Sequence, residues 1–379
     1  MKKKIQISIL LCLVTFINVA QSKLQDIPIP ATKKVTYGIL DNGMTYYIYP
    51  TDFVKDRASY YIIQNVGSIL ENDKQRGLAH FLEHMAFNGS EHFADKGILD
   101  TLEKHGAVFG KHINAYTGFD ETVYNISNIP TNIDGLIDTS LLIIEDWANG
   151  LMLKESEIDA ERGVVKEEWR SRQNAKMRVF QSFMPEKYNY SKYSKRIPIG
   201  SMDVIANFEY QELRDFYRDW YRTDLQAIAV IGDVNVEDIE AKIKKRFSKI
   251  PAIQNAIPRE EVIIPFHKEP LFKLVVDKET SRARISFQMK HANSLKRETT
   301  FDLQQSVYRM IVLNILASRI NELSQKPDTP FLAAAYSYQN LNRLSSNFTL
   351  TIIPKPNNQK EAFRASLKEL MKAKTHGVT

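Results

Sequence analysis

The chain has 379 residues, of which 43% are hydrophobic and 25% are charged. These values are typical of a globular protein and exclude a wholly disordered chain. The length predicts two domains, because single cores rarely grow to this size. The formal net charge is +6, and Lys2, Lys3 and Lys4 supply half of it. The remaining surplus forms no basic stripe, so we expect no nucleic-acid partner.

Residues 1–22 have the composition of a secretory signal peptide. Three lysines precede an apolar run from Ile5 to Val19, and the small-x-small sequence Ala20-Gln21-Ser22 follows it. This order of segments is typical of a cleaved export signal, and the run is short for a membrane span. We therefore expect a periplasmic or secreted protein of the bacterial cell envelope, with no stable membrane span after cleavage. The alternative is an uncleaved N-terminal anchor.

Cys12 is the only cysteine, and it lies within the apolar run. The mature chain would therefore carry no thiol, so it could form neither a disulfide nor a thiolate metal site. Any metal ion must then be bound by His, Asp or Glu side chains.

Mixed strand and helix patterns follow the signal segment. A β-hairpin is predicted at 35–50 around the turn Asp41-Asn42-Gly43, then a strand from Ala58 to Val66 and a helix from Leu78 to about Asn88. Further helical patterns cover 97–105, 133–149, 154–176, 211–221 and 236–249, and strand patterns cover 108–127 and 226–231. Hairpin connections indicate an α+β fold, with helices on one face of a mixed, largely antiparallel sheet.

The stretch 251–270 contains Pro251, Pro258, Pro265 and Pro270 and little periodicity, which predicts a linker. It would separate a first domain at 30–250 from a second domain at 271–379. In the second domain, strands are predicted at 272–276, 284–289 and within 332–353, and helices at 300–324 and from 359 onward. If the two domains match in size, the second is incomplete at residue 379.

The sequence His80-Phe81-Leu82-Glu83-His84 places three polar side chains within one turn of a helix, opposite an apolar face. Two imidazoles one turn apart can bind one zinc ion, while the carboxylate beside them stays free. The alternative is a solvated helix face without a metal. The other histidines of this region lack the paired spacing, and we interpret them as surface or loop residues: His92, His105 and His112.

A catalytic zinc site needs a third protein ligand and an open position for water. The helical run 157–170 offers two carboxylates, Glu161 and Glu168, in the middle of its apolar stripe, whereas Glu167 points to the polar side. Zinc would compensate the burial of one carboxylate, and the second nitrogen of a histidine ligand would compensate the other. The stripe itself consists of Ile158, Val164, Val165 and Trp169.

Three segments together resemble a known family. The run from His80 to Ser90, the segment Asn114-Ala115-Tyr116-Thr117 and the run from Glu161 to Glu168 are similar to the pitrilysin/insulinase family of zinc metallopeptidases, which carry an inverted HxxEH motif. The similarity is closest to the large secreted bacterial members and covers nearly the whole chain after the signal peptide. It implies similar, repeated α+β domains, with the catalytic zinc peptidase domain at 30–250.

The resemblance also implies a role for each matching residue of the metal site. His80, His84 and Glu168 would bind one Zn²⁺ per chain, and Glu83 would act as the general base that activates water. Glu161 would contact one of the ligands without binding the metal itself. The activity would be that of a metalloendopeptidase.

Residues that would bind the substrate follow from the same resemblance. Asn114 and Ala115 would lie on an edge strand that pairs with a peptide, and Phe87 would line the site near the scissile bond. The expected substrates are peptides or unfolded polypeptides, because pairing through the main chain depends little on side chains.

The chain departs from the family pattern in two ways, and only the second bears on activity. The interval from His84 to Glu168 is longer than usual, and the far half that supplies an Arg and a Tyr in the family is expected to be a separate half or a partner chain. Arg319 and Tyr336 or Tyr338 lie in a comparable region of the second domain, but we assign them no such role. The alternatives are a non-catalytic or half-enzyme subunit that binds peptide and needs a partner half, and a peptide-binding module associated with transport.

Overall fold

The computed structural model of the chain describes residues 27–293 and 298–377. The predicted signal peptide and Cys12 lie outside the described residues. The chain forms two compact units, of which the first consists of Thr32–Ser281 and Leu341–Ser345. The second contains the remaining described residues, namely 27–31, 282–293, 298–340 and 346–377. Among the described helices, none combines the length and the apolar character that a membrane crossing requires.

The first unit combines one sheet with helices. Its strands are β1 (Thr36–Ile39), β2 (Thr45–Pro50), β3 (Arg57–Gln64), β4 (Ile113–Thr117), β5 (Thr122–Pro130) and β6 (Gln226–Gly232). Its α-helices are α1 (Leu78–Met85), α2 (Gly97–Glu103), α3 (Leu136–Asn149), α4 (Glu155–Arg172), α5 (Ala175–Lys187), α6 (Met202–Asn207), α7 (Tyr210–Trp220) and α8 (Val236–Phe247).

The six strands form one sheet in the order β1-β2-β6-β3-β5-β4. Only β2 and β6 run parallel, and the other neighbours are antiparallel. Alternate residues of β3 are buried, among them Tyr60 and Ile62, as expected of a strand with one face against the core. Helix α3 packs on β3 and α8 packs on β2. Strand β4 is an edge of the sheet, and this position matters for the site.

The second unit repeats the combination of sheet and helices. It contains β7 (Ile285–Ala292), α9 (Thr300–Ser324), β8 (Phe331–Asn342), β9 (Ser345–Pro354) and α10 (Gln359–His376). The strands lie in the order β7-β9-β8. Its core includes Leu316 and Ile320 of α9, Phe331 of β8, and Leu350 and Ile352 of β9.

The predicted α+β class is confirmed, but several elements differ from the prediction. The segment Phe272 to Val276 forms no strand, and Phe272 and Val276 are each 85% exposed. The segment has a β-forming composition, but none of the described strands pairs with it. Strand β7, the next strand along the chain, pairs with β9.

The long helix predicted at 154–176 was also wrong in its extent. Helix α4 ends at Arg172. Asn174 then caps a separate helix, α5, by accepting a hydrogen bond from Met177 N. Val164, predicted in the apolar stripe of α4, is 51% exposed. Residues 251–284 contain neither helix nor strand, and the predicted linker and domain limits stay predictions.

Candidate metal centre

Helix α1 carries the HxxEH motif above a buried apolar face. Phe81 and Leu82 have no exposed surface, and Phe81 packs edge-on against Phe208 with ring centroids 5.0 Å apart. The helix contacts both α4 and the edge strand β4. The motif's polar side chains, which lie on the opposite face of the helix, therefore meet groups from two other elements.

The start of α1 is fixed by a glycine and a buried carboxyl group. Gly77 has φ +105°, and a Cβ atom there would lie 3.0 Å from Gly200 Cα, so a side chain is disfavoured by both conformation and space. Ala79 N donates a hydrogen bond of 2.9 Å to Glu71 Oε1. Burial raises the pKa of Glu71 to about 8. No sequence pattern pointed to Glu71, because its partner is a backbone group.

Glu168 of α4 faces both histidines of the motif. Its Oε2 atom lies 3.5 Å from His80 Nε2 and 3.2 Å from His84 Nε2, and the two imidazole centroids are 4.7 Å apart. One donor atom from each of the three residues falls within 4.8 Å of the others. Arg172 forms an ion pair with the other oxygen, Oε1. The structure thus brings together the three residues that the sequence suggested as ligands.

The two histidines have opposite protonation tendencies. Burial, and then the neighbouring His84, lowers the pKa of His80, so its ring is neutral at pH 7. Burial opposes a charge on His84 as well, but the nearby carboxylates of Glu161 and Glu168 outweigh it and raise the pKa of His84 to about 9. The adjacent His84 holds the pKa of Glu168 below its ordinary value. The site can therefore exchange a proton for a cation, as metal sites do.

Glu161, which precedes Glu168 by about two turns of α4, contacts the other ring nitrogen of His84. His84 Nδ1 lies 2.7 Å from Glu161 Oε1, and Asn88 Nδ2 donates a 2.6 Å hydrogen bond to Oε2. With Nδ1 held by Glu161, Nε2 is the nitrogen that can bind a metal ion once it has lost its own proton. Asn88 was not identified from the sequence, although it lies one turn beyond His84.

Glu83 is held by a residue of the edge strand. Thr117 Oγ1 donates a hydrogen bond of 2.5 Å to Glu83 Oε2. Burial raises the pKa of Glu83, and the Thr117 hydrogen bond opposes the shift. Thr117 belongs to the Asn114-Ala115-Tyr116-Thr117 segment, but no role was predicted for it. The strand period could have suggested one, since Thr117 shares a face with Ala115.

The predicted substrate residues lie on or near the same edge. Asn114 and Ala115 belong to β4, which among the described strands pairs with β5 alone. Phe87 is half-buried in an aromatic cluster, where its ring centroid lies 5.5 Å from those of Phe109 and Trp147. An edge strand offers unpaired main-chain groups to a peptide.

Other polar residues considered from the sequence have local partners. Glu167 is exposed and pairs with Arg170 at 3.0 Å, and His92 Nδ1 lies 2.7 Å from the buried Asp146. In the second unit, Arg319 lies 3.5 Å from Glu369. Tyr336 donates its hydroxyl to the Ser366 carbonyl oxygen at 2.9 Å. Arg319 and Tyr336 thus interact with residues of their own unit.

Comparison with known proteins identifies two family models that match this chain. The family model described as insulinase, peptidase family M16, matches residues 47–197. A second model, described as the peptidase M16 inactive domain, matches residues 207–379. The first match contains the motif helix, both carboxylates of α4 and the edge strand.

Individual relatives agree with the family models. The chain is 32% identical to the probable zinc protease PqqL of Escherichia coli over 92% of its own length, and 29% identical to that of Haemophilus influenzae over 90%. It spans only 37% of the length of each relative. The solved structure of the first half of the periplasmic protease PqqL from Escherichia coli superposes with a TM-score of 0.84 at 29% identity, covering 93% of this chain and 75% of that one. The chain therefore belongs to the insulinase family of peptidases, family M16.

Proposed function

We propose that this chain is the metal-holding part of a zinc-dependent endopeptidase. His80, His84 and Glu168 hold one zinc ion, and Glu83 is the general base. The observation that carries the proposal is the convergence of three donor atoms within 4.8 Å, next to the half-buried Glu83 carboxylate on the same helix turn as the two histidines.

The donor set fits zinc in kind and spacing. Ligand atoms at about 2.1 Å from a tetrahedral zinc ion lie about 3.4 Å from one another, close to the 3.2 Å and 3.5 Å between Glu168 Oε2 and the two Nε2 atoms. Oε2 is buried without a well-formed hydrogen bond in the described part of the chain, a cost that a cation removes. When bound, zinc acts as a Lewis acid that polarises the scissile carbonyl and lowers the pKa of water towards about 7.

The residues of this chain then divide the remaining work. Glu83 accepts a proton from the attacking water and returns it to the leaving amine. Burial raises the pKa of Glu83, which brings a carboxylate closer to the value that suits a base near neutral pH. Glu161 keeps the His84 ring oriented through Nδ1. Strand β4, with Asn114 and Ala115, holds the peptide extended through main-chain hydrogen bonds.

The proposed substrates are extended peptides or unfolded polypeptides. Phe87 would line the site beside the scissile bond. A second half, in the same polypeptide or as a partner chain, would close the site. The relatives are longer than this chain by more than twofold, which supports that part of the proposal. The basic and apolar residues at 1–22 support export to the periplasm or beyond.

A half-enzyme that binds peptide without cleaving it is the second candidate. It is favoured by one specific observation, namely that residues 207–379 match a domain described as inactive. The Glu83 carboxylate separates the two candidates, because a subunit that only binds peptide needs no base.

The test replaces Glu83 with Gln. This substitution keeps shape and zinc but removes the proton acceptor, so the hydrolysis rate of an extended peptide should fall by about 10²- to 10⁴-fold. Glu103→Gln, at an exposed glutamate of α2, is the matched control and should leave both rate and zinc content unchanged. Rates and zinc content are measured on the same preparations. Hydrolysis by Glu83→Gln at the wild-type rate would refute the role of the base.

A further inference from the structure

The general base is tied to the edge strand by a single side chain. Thr117 is the last residue of β4, and its hydroxyl donates to Glu83 Oε2 at 2.5 Å. In the part of the chain that the structure describes, no other side chain is recorded as a hydrogen-bond partner of the Glu83 carboxylate. A carboxylate on a flexible side chain is thereby fixed through one oxygen.

The direction of this hydrogen bond is set by the carboxylate, which can only accept. Thr117 pairs with Thr122 of β5, and the Thr122 hydroxyl donates to the Val66 carbonyl oxygen at 2.9 Å. Since a hydroxyl has one proton, Thr122 cannot also donate to Thr117, whose Oγ1 lies 3.5 Å away. The Thr117 proton therefore goes to the carboxylate oxygen at 2.5 Å and not to Thr122 Oγ1 at 3.5 Å.

We propose that Thr117 is a positioning residue for the general base. Its hydroxyl fixes Glu83 Oε2 and leaves Oε1 to face the attacking water. Because Thr117 lies on the same strand as Asn114 and Ala115, the strand that aligns the peptide also aligns the base. This inference rests on the proposed function, since it assumes that Glu83 is the base.

The alternative is that the hydroxyl only satisfies a buried oxygen and stabilises the fold. The two roles differ in what they affect. A positioning role changes the rate of the chemical step, because small misplacement of a catalytic group costs up to about 10²-fold. A purely structural role changes the unfolding free energy and leaves turnover by the folded protein unchanged.

The experiment compares Thr117→Val with Thr117→Ser in the zinc-loaded full-length protein. Valine keeps the β-branched shape and removes the hydroxyl, whereas serine keeps the hydroxyl. We expect kcat to fall by about 10- to 10²-fold in Thr117→Val, with KM, zinc content and the affinity for an uncleaved peptide within about twofold of wild type. Thr117→Ser should recover most of the rate. The matched control Thr139→Val removes a hydroxyl that bonds the Gly135 carbonyl in α3, and should leave kcat unchanged.

A double-mutant cycle separates this inference from the function on which it rests. If Thr117 acts through Glu83, Thr117→Val lowers the rate of wild type but not the residual rate of Glu83→Gln. Wild-type kcat in Thr117→Val, or an equal loss in both backgrounds, would overturn the positioning role while leaving Glu83 as the base. A wild-type rate in Glu83→Gln alone would overturn the proposed function instead.

Discussion

Four glutamates lie within or beside helix α1, and their neighbours give them different properties. Glu71 is fully buried, and burial raises its pKa to about 8. Burial also raises the pKa of Glu83, although the Thr117 hydroxyl limits the shift. Glu161 and Glu168 have lowered pKa values; burial opposes ionisation of Glu161, but His84 outweighs it, and His84 is the leading cause for Glu168. The same side chain is thus a neutral support, a proposed base or a proposed ligand according to what faces it.

Glu71 predicts a pH dependence of stability. The folded chain keeps this proton up to about pH 8, whereas an ordinary carboxyl releases it near 4.5. The raised pKa therefore contributes to the free energy of unfolding. This contribution is fully present below about pH 4.5 and is lost as the pH rises towards 8. Glu71→Gln keeps an acceptor for Ala79 N but cannot ionise. In chelator-treated protein, the melting temperature of Glu71→Gln minus that of wild type should increase by about 4 °C or more from pH 5 to pH 8.

The control for this measurement is Asp73→Asn. The Arg196 guanidinium holds the pKa of Asp73 below its ordinary value, so Asp73 stays ionised throughout the same pH interval. Its melting-temperature difference from wild type should be independent of pH. A difference for Glu71→Gln that is also constant from pH 5 to pH 8 would show that Glu71 does not hold its proton.

At the scale of elements, α1 and α4 carry the proposed metal centre, and β4 borders it. Helix α1 starts at Gly77, where both φ and the approach of Gly200 leave no room for a side chain. Gly77→Ala should lower the free energy of unfolding by about 2 kcal/mol or more, since left-handed backbone and a backbone clash both oppose it. Urea unfolding measures this loss, and zinc affinity should fall with it because the first turn of α1 shifts.

The matched control is Gly163→Ala in α4. A Cβ atom at Gly163 meets nothing within 4 Å, and alanine is favoured over glycine within a helix by about 0.5–1 kcal/mol. This variant should be more stable than wild type and should bind zinc equally well. If Gly77→Ala were as stable as Gly163→Ala, the start of α1 would not depend on the glycine.

Local periodicity was sufficient for elements with a strong apolar pattern. It placed α9 at Thr300–Ser324 and β6 at Gln226–Gly232 almost to the residue. It failed at Phe272 to Val276, because a strand needs a partner that local sequence does not specify. It also missed α5, whose start depends on the Asn174 cap more than on an apolar stripe.

Some residues of the site could likewise be predicted from local spacing, whereas others depend on the packing of distant segments. His80, Glu83 and His84 share one helix turn, so their spacing is visible in the sequence. Both α4 carboxylates were also visible, but only the packing of α4 on α1 shows which oxygen faces which nitrogen. Thr117 lies 34 positions from Glu83 and could not be connected to it by spacing alone.

At the scale of the whole molecule, the chain spans 37% of each of its two bacterial relatives. Every proposed zinc ligand lies in the first unit, so residues 23–379 should bind about one zinc ion. Hydrolysis also needs donors for the developing oxyanion, and loss of one such donor costs about 10²- to 10³-fold in rate. If these donors come from a second half, residues 23–379 alone should cleave extended peptides very slowly.

Adding the second half, fused or as a separate chain, should restore the rate without changing the zinc stoichiometry. The measurement pairs a peptide-cleavage assay with metal analysis, in preparations free of other proteases. Rapid turnover by residues 23–379 alone would show that no further half is needed.

The most direct test of the account is the zinc affinity of three variants on α4. Glu168→Gln should bind zinc far more weakly than wild type, because it loses a charged ligand. Glu161→Gln should lose about 10- to 100-fold in affinity, as is typical of a group that orients a ligand. Glu167→Gln should match wild type, since Glu167 is exposed and pairs with Arg170. Equal zinc affinity in all three variants would contradict a site formed by His80, His84 and Glu168.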